Sequence, residues 1–142
     1  MRELVRDLLW LGNAKDARDL RGLLDLGVSA VIDLTIENTP PMLTRDLVYC
    51  RFPITDGQGN SPEVLMAAVE TLLSLLSKRC RTFVYCGAGM SRSPCIAAMA
   101  LALREGKPPD EMLQNLLSGH PSDVSPTLWD DIKRACARIP GG

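Results

Sequence analysis

The chain has 142 residues, 46% of them hydrophobic, with 16 basic and 17 acidic side chains and a net charge of -1. That length predicts one domain, 1–142, with a real core, and the charge balance excludes a general pull toward nucleic acid or anionic membrane. The apolar run Leu8-Leu9-Trp10-Leu11 is too short for a membrane span or secretory signal, and the five cysteines lack zinc-type or small-secreted-domain spacing. A cytoplasmic monomer is expected, with neither nucleic acid nor membrane as partner.

In chain order, residues 7–11 read as a first strand. Gly12-Asn13 makes a turn in which Asn13 caps a helix running to about residue 26, with Gly27 as its C-terminal cap. Ala17, Leu20, Leu23 and Leu24 recur at helical spacing. Residues 28–34 are almost continuously apolar, the pattern of a strand covered on both faces. Residues 35–46 contain Pro40-Pro41 and no periodicity, and read as a surface loop placed for substrate contact. Residues 47–52 form another strand, which leads through Pro53 to Asp56-Gly57-Gln58-Gly59-Asn60, a stretch mobile by its glycine content.

Ser61-Pro62-Glu63 starts a helix whose apolar face is Leu65, Ala68, Val69, Leu72, Leu73 and Leu76. It returns the chain so that residues 82–85, β-branched and aromatic, lie parallel in the sheet. Residues 95–103 are apolar all round, as a central buried helix requires. Further helices begin at Pro108-Pro109-Asp110 and at Ser125-Pro126, the last facing inward with Leu128, Trp129, Ile132, Ala135, Cys136 and Ile139. The lone histidine, His120, reads as loop structure. Lys133, Arg134 and Arg138 read as basic groups answering a helix C-terminus, and residues 140–142 as a frayed tail. The expected fold class is α/β, with a central, mainly parallel, twisted sheet flanked by helices.

The chemistry concentrates in Tyr85-Cys86-Gly87-Ala88-Gly89-Met90-Ser91-Arg92-Ser93-Pro94, where strand gives way to helix. Two glycines let the backbone curl so that its N–H groups converge, and the helix adds its positive end, which makes an anion nest. Thiols in such settings have pKa values of roughly 3.5 to 7.5, against about 8.5 when unperturbed. Arg92 can fold across the nest and grip two oxygens of a tetrahedral oxyanion. A lone cysteine at such a junction is more often packing, but Arg92 and both glycines in register favour chemistry. A low-pKa thiol also oxidises readily, and whether Cys50, Cys80 or Cys95 lies near enough to pair with it stays open.

Cys86-x5-Arg92-Ser93 resembles the signature loop of cysteine-dependent protein tyrosine phosphatases. Ala88, Gly89, Ser91 and Ser93 extend the match to the dual-specificity branch, as does the opening segment with its Leu-Gly-Asn and Asp-Leu-Thr ends. One position departs: the family usually has histidine where Tyr85 stands. The resemblance implies a phosphotyrosine protein phosphatase-like fold. It implies Cys86 as nucleophile and Arg92 as phosphate clamp, with Gly87, Ala88, Gly89, Met90 and Ser91 completing the phosphate site. Ser93 would assist the second step, and Asp56, 30 positions before Cys86, would be the acid. Asp123 is a reserve acid. No metal or cofactor is implied, and the substrate is a phosphorylated protein or a small phosphate ester. The loop's variable residues are not basic, which disfavours a polyanionic inositol lipid. Two alternatives stand beside this: a non-catalytic phosphate-binding module, marked by Tyr85, and a rhodanese-like sulfurtransferase.

Overall fold

The computed structural model describes residues 1–44, 46–137 and 139; Arg138 and the tail 140–142 named above lie outside them. The sheet holds β1 (Arg2–Val5), β2 (Leu9–Asn13), β3 (Ala30–Asp33), β4 (Val48–Arg51) and β5 (Thr82–Cys86), in spatial order β1-β2-β5-β3-β4. Neighbours are parallel except β1, which pairs antiparallel with β2. The expected mainly parallel α/β architecture is therefore present. β5 sits centrally because every one of its residues is buried, and it is flanked by β2 and by the equally buried β3.

Side chains of the strands alternate between two cores. Leu9, Leu11, Ile32, Val84 and Cys86 face the side of α3 (Pro62–Ser77), α4 (Arg92–Glu105), α5 (Pro109–Leu117) and α6 (Pro126–Cys136). Trp10, Val31, Phe83 and Tyr85 face the smaller cluster under α1 (Ala14–Ala17) and α2 (Leu20–Asp25). Cys86 and Tyr85 thus point to opposite faces. All residues of α4 from Arg92 to Ala102 are buried, as its all-round apolar sequence requires. Gly106 closes that helix in the left-handed conformation, φ 68°.

Two local expectations change, and one strand appears that the sequence did not suggest. The strand expected at residues 7–11 begins only at Leu9, because Asp7 adopts φ 56° in a tight turn that folds β1 back onto β2, with the Asp7 amide donating to Glu3 Oε2 at 3.0 Å. β1 itself is an edge strand with weak alternation and leaves little trace in the sequence. The single helix expected over residues 13–26 is two, because Asp19 caps a fresh start by accepting the Gly22 amide at 3.0 Å. Asn13 does cap the first of them, in a reciprocal pair with Asp16.

Candidate active site

Cys86 ends β5 and Arg92 begins α4, so residues 87–91 must turn the chain within one short loop. Gly89 does this at φ +76°, and a Cβ there would lie 2.9 Å from the Gly12 carbonyl oxygen, a backbone atom that cannot step aside. Gly87 has a different reason. Its φ is not positive, but a Cβ would sit 3.1 Å from Arg92 Nη2, so it supplies space rather than curl. Gly89→Ala is therefore expected to destabilise the fold by about 2 kcal/mol or more, from left-handed strain plus the clash. Urea unfolding would check this, and a midpoint equal to wild type would refute the reading of the loop.

The sulphur of Cys86 lies against the start of α4. The Ser93 amide donates to Cys86 Sγ at 3.4 Å, and the Ser93 hydroxyl lies 3.2 Å from the same sulphur. Ser91 occupies the N-cap position without capping, because its hydroxyl instead accepts the Ser125 amide at 3.0 Å. The first-turn amides of α4, which have no intrahelical acceptors, are thus not closed off by a capping side chain. The Asp123 amide donates to the Met90 carbonyl at 3.0 Å, so the segment before α6 is stitched to the nest at two points.

Arg92 is 8% exposed and its fork is specifically placed. Nη1 donates to the Ile54 carbonyl at 3.0 Å, at longer range to Leu34 O at 3.4 Å, and to Glu37 Oε2 at 3.1 Å, while Nη2 meets Glu37 Oε1 at 2.8 Å. Of five guanidinium N–H groups, Nε–H and one on Nη2 then remain for a ligand, side by side, as two oxygens of a phosphate require. Burial works against the charge, but the Glu37 hydrogen bonds, then the Cys86, Glu37 and Asp56 charges, outweigh it, and the Arg92 pKa is raised. Glu37 was not foreseen as part of the site. It lies in the loop expected to touch substrate, and the only hint was that a buried arginine needs a carboxylate.

Asp56, Cys86, Ala88, Met90, Ser91, Arg92 and Asp123 line one cavity of about 80 Å³. A cleft of about 380 Å³ lies apart between α3 and α6, and one of about 430 Å³, beside Gly12 and Pro94, borders the small cavity and shares Ala88 and Met90 with it. The small one gathers Cys86, Arg92 and Asp56, the residues the sequence singled out, and its size suits a phosphate. Both acid candidates reach it, and of the two Asp56 is the one whose charge is among those that raise the Arg92 pKa. The Asp56 loop is more tied than its glycines suggest: the Asn60 amide accepts the Thr55 N–H at 2.8 Å and donates to Thr55 O at 2.8 Å and Gly57 O at 3.2 Å.

Residues 9–111 match the family described as "Dual specificity phosphatase, catalytic domain". The chain belongs to the dual specificity phosphatase family. It is 32% identical over 96 residues to dual specificity protein phosphatase 9 of Homo sapiens, an alignment covering 66% of this chain and 25% of that protein, so the chain spans about a quarter of that relative's length. The fold is like that of human DUSP28, with TM-score 0.78 at 21% identity, covering 93% of this chain and 94% of the other. It is equally like a mouse putative dual specificity phosphatase complexed with zinc tungstate, with TM-score 0.78 at 19% identity, covering 95% and 90%.

In this dual specificity phosphatase domain the side chain of the residue before the cysteine faces the opposite side of the sheet from the thiol. Tyr85 is 1% exposed, stacks on Phe83 at 5.6 Å, and lies on the face of the sheet away from the nest. Burial pushes its phenol up, and the neighbouring Asp33 and then Tyr49 push it the same way. Tyr49, half-buried and hydrogen-bonded to Asp33, is pushed up to about 12 by desolvation and then by that partner. Both stay neutral below that range, so Tyr85 fills its place as a packed phenol. No helix among the described residues is long and apolar enough to cross a membrane.

Proposed function

We propose that the chain is a metal-independent phosphatase of phosphorylated proteins, acting on phosphotyrosine with some phosphoserine or phosphothreonine through a cysteinyl-phosphate intermediate. Small phosphate esters are the simplest surrogate substrates. The observation that carries this reading is that Cys86 and Arg92, with Ser93 at the sulphur, share a phosphate-sized cavity with Asp56. Cys86 as thiolate attacks phosphorus while loop amides and the two remaining Arg92 donors hold the equatorial oxygens. Asp56 gives a proton to the departing oxygen, then takes one from the water that cleaves the S–P bond. Ser93, 3.2 Å from the sulphur, donates its hydroxyl to the thiolate as it leaves in that second step. All five cysteines are free of disulfides, which fits a reducing, cytoplasmic setting.

The acid is tested by leaving-group dependence. Asp56→Asn is expected to lower kcat/KM about 10²-fold or more on phenyl phosphate, a poor leaving group, and much less on 4-nitrophenyl phosphate, which departs without a proton. Equal losses on both esters would remove Asp56 from the role, and the same pattern in Asp123→Asn instead would hand it to Asp123. The sulfurtransferase alternative loses its support with family membership. The binding-module alternative predicts wild-type protein that binds tungstate, the oxyanion named for the mouse relative, but hydrolyses neither ester with chelator present or absent. A module would need Arg92 and the amides but neither the thiol nor Asp56, and both are in the cavity.

A further inference from the structure

The loop that carries Glu37 is organised from outside the pocket by Arg51, with Asp33 holding its first residue. Arg51, the last residue of β4, donates from Nε to the Thr35 carbonyl at 3.0 Å and from Nη2 to the carbonyls of Ile36 at 3.2 Å and Asn38 at 3.1 Å. The sheet puts it there: Arg51 is the cross-strand partner of Asp33, the residue from which the loop departs. Its Nε is also 4.0 Å from Asp33 Oδ2, and the fully buried Asp33 carboxylate accepts the Thr35 amide and hydroxyl at 2.8 and 2.7 Å. The turn at residues 35–38 is thus wrapped around one guanidinium and offers Glu37 to Arg92. Burial does not hold it there instead, because Ile36 is 53% exposed and the Glu37 side chain 50%.

We propose that Arg51 is a positioning residue for phosphate binding, which fixes the 35–38 turn and hence Glu37, and through Glu37 the rotation of the Arg92 fork. The inference rests on the reading of Arg92 as the phosphate-binding group. Two effects of Glu37 oppose each other. Its charge partly neutralises Arg92 and so weakens attraction for an anion, while its two hydrogen bonds orient the remaining donors. A half-exposed carboxylate is strongly screened by solvent, whereas a misaimed fork loses a charge-assisted hydrogen bond to the oxyanion outright. Orientation therefore dominates, and loosening the turn weakens oxyanion binding.

The experiment is a double-mutant cycle of Arg51→Lys and Glu37→Gln, read as tungstate affinity by titration calorimetry. Lysine keeps a cation beside buried Asp33, so the fold is preserved, but a single ammonium does not replace a planar fork spanning three carbonyls. Thermal unfolding and Arg51→Gln serve as the check that a loss is not misfolding. Arg51→Lys is expected to weaken tungstate binding about tenfold in the wild-type background and less than about twofold in Glu37→Gln, where the lever is already cut. Equal losses in both backgrounds would overturn the proposal, as would unchanged or tighter binding in Arg51→Lys. Wild type that binds tungstate without turning over substrate would defeat the catalytic reading while leaving this cycle measurable. Wild type that binds no tungstate would overturn both.

Discussion

Cys86→Ser is expected to lower turnover of 4-nitrophenyl phosphate by about 10⁴-fold or more while leaving tungstate affinity within a few-fold of wild type. The reason is a separation of roles across the nest. Attack on phosphorus needs an ionised side chain, and a serine hydroxyl does not ionise near neutral pH. The proposed reading gives binding to other groups: the open first turn of α4, and the Nε–H and Nη2–H of Arg92, whose remaining donors are committed to Glu37, Ile54 and Leu34. Ser93→Ala separates the two chemical steps in the same assay. It keeps the nucleophile but removes the hydroxyl 3.2 Å from the sulphur, so phosphoenzyme should accumulate and give a pre-steady-state burst. Retained turnover in Cys86→Ser would refute covalent catalysis by Cys86. A Ser93→Ala enzyme with neither a burst nor a slower steady state would remove Ser93 from the second step.

Arg92→Lys, a change that keeps the charge, should cost about 10³-fold in kcat/KM for the same ester, mostly through lost stabilisation of the phosphoryl oxygens. The guanidinium holds Glu37 on one edge and carbonyls on another, and the proposed reading puts substrate on the third; one ammonium cannot occupy these positions together. The Ile54 carbonyl, whose residue is fully buried, would lose the 3.0 Å donor it has now. That adds a stability loss of about 1 to 3 kcal/mol, visible in urea unfolding. A lysine variant within about tenfold of wild type would mean that Arg92 contributes charge alone and that its fork geometry is not used.

Why some of this was legible in the sequence and some was not follows from how far apart the interacting groups lie along the chain. The nest is local. Cys86, Gly89, Arg92 and Ser93 lie within eight residues, and a strand end, a left-handed glycine and a helix start leave the backbone few other courses. The buried helix α4 was legible because its all-round apolar sequence has no exposed solution. The fate of Gly87 was not, because the need for glycine there comes from Arg92 Nη2 pressing on it, a contact made by folding.

The amino-acid sequence by itself determined the α/β class, the strand-loop-helix nest and the identity of its thiol and guanidinium, since each depends on neighbours within a turn or two. Tertiary structure alone decided what surrounds them. It brought Glu37 from 55 residues away onto Arg92, placed Asp56 and Asp123 on one cavity, turned Tyr85 away from the sulphur into a phenol cluster, and set Arg51 beneath the loop that holds Glu37. The physical reason is the sheet. Its strand order β2-β5-β3-β4 is created by crossovers, and the ends of β3, β4 and β5 become neighbours only once those crossovers have formed.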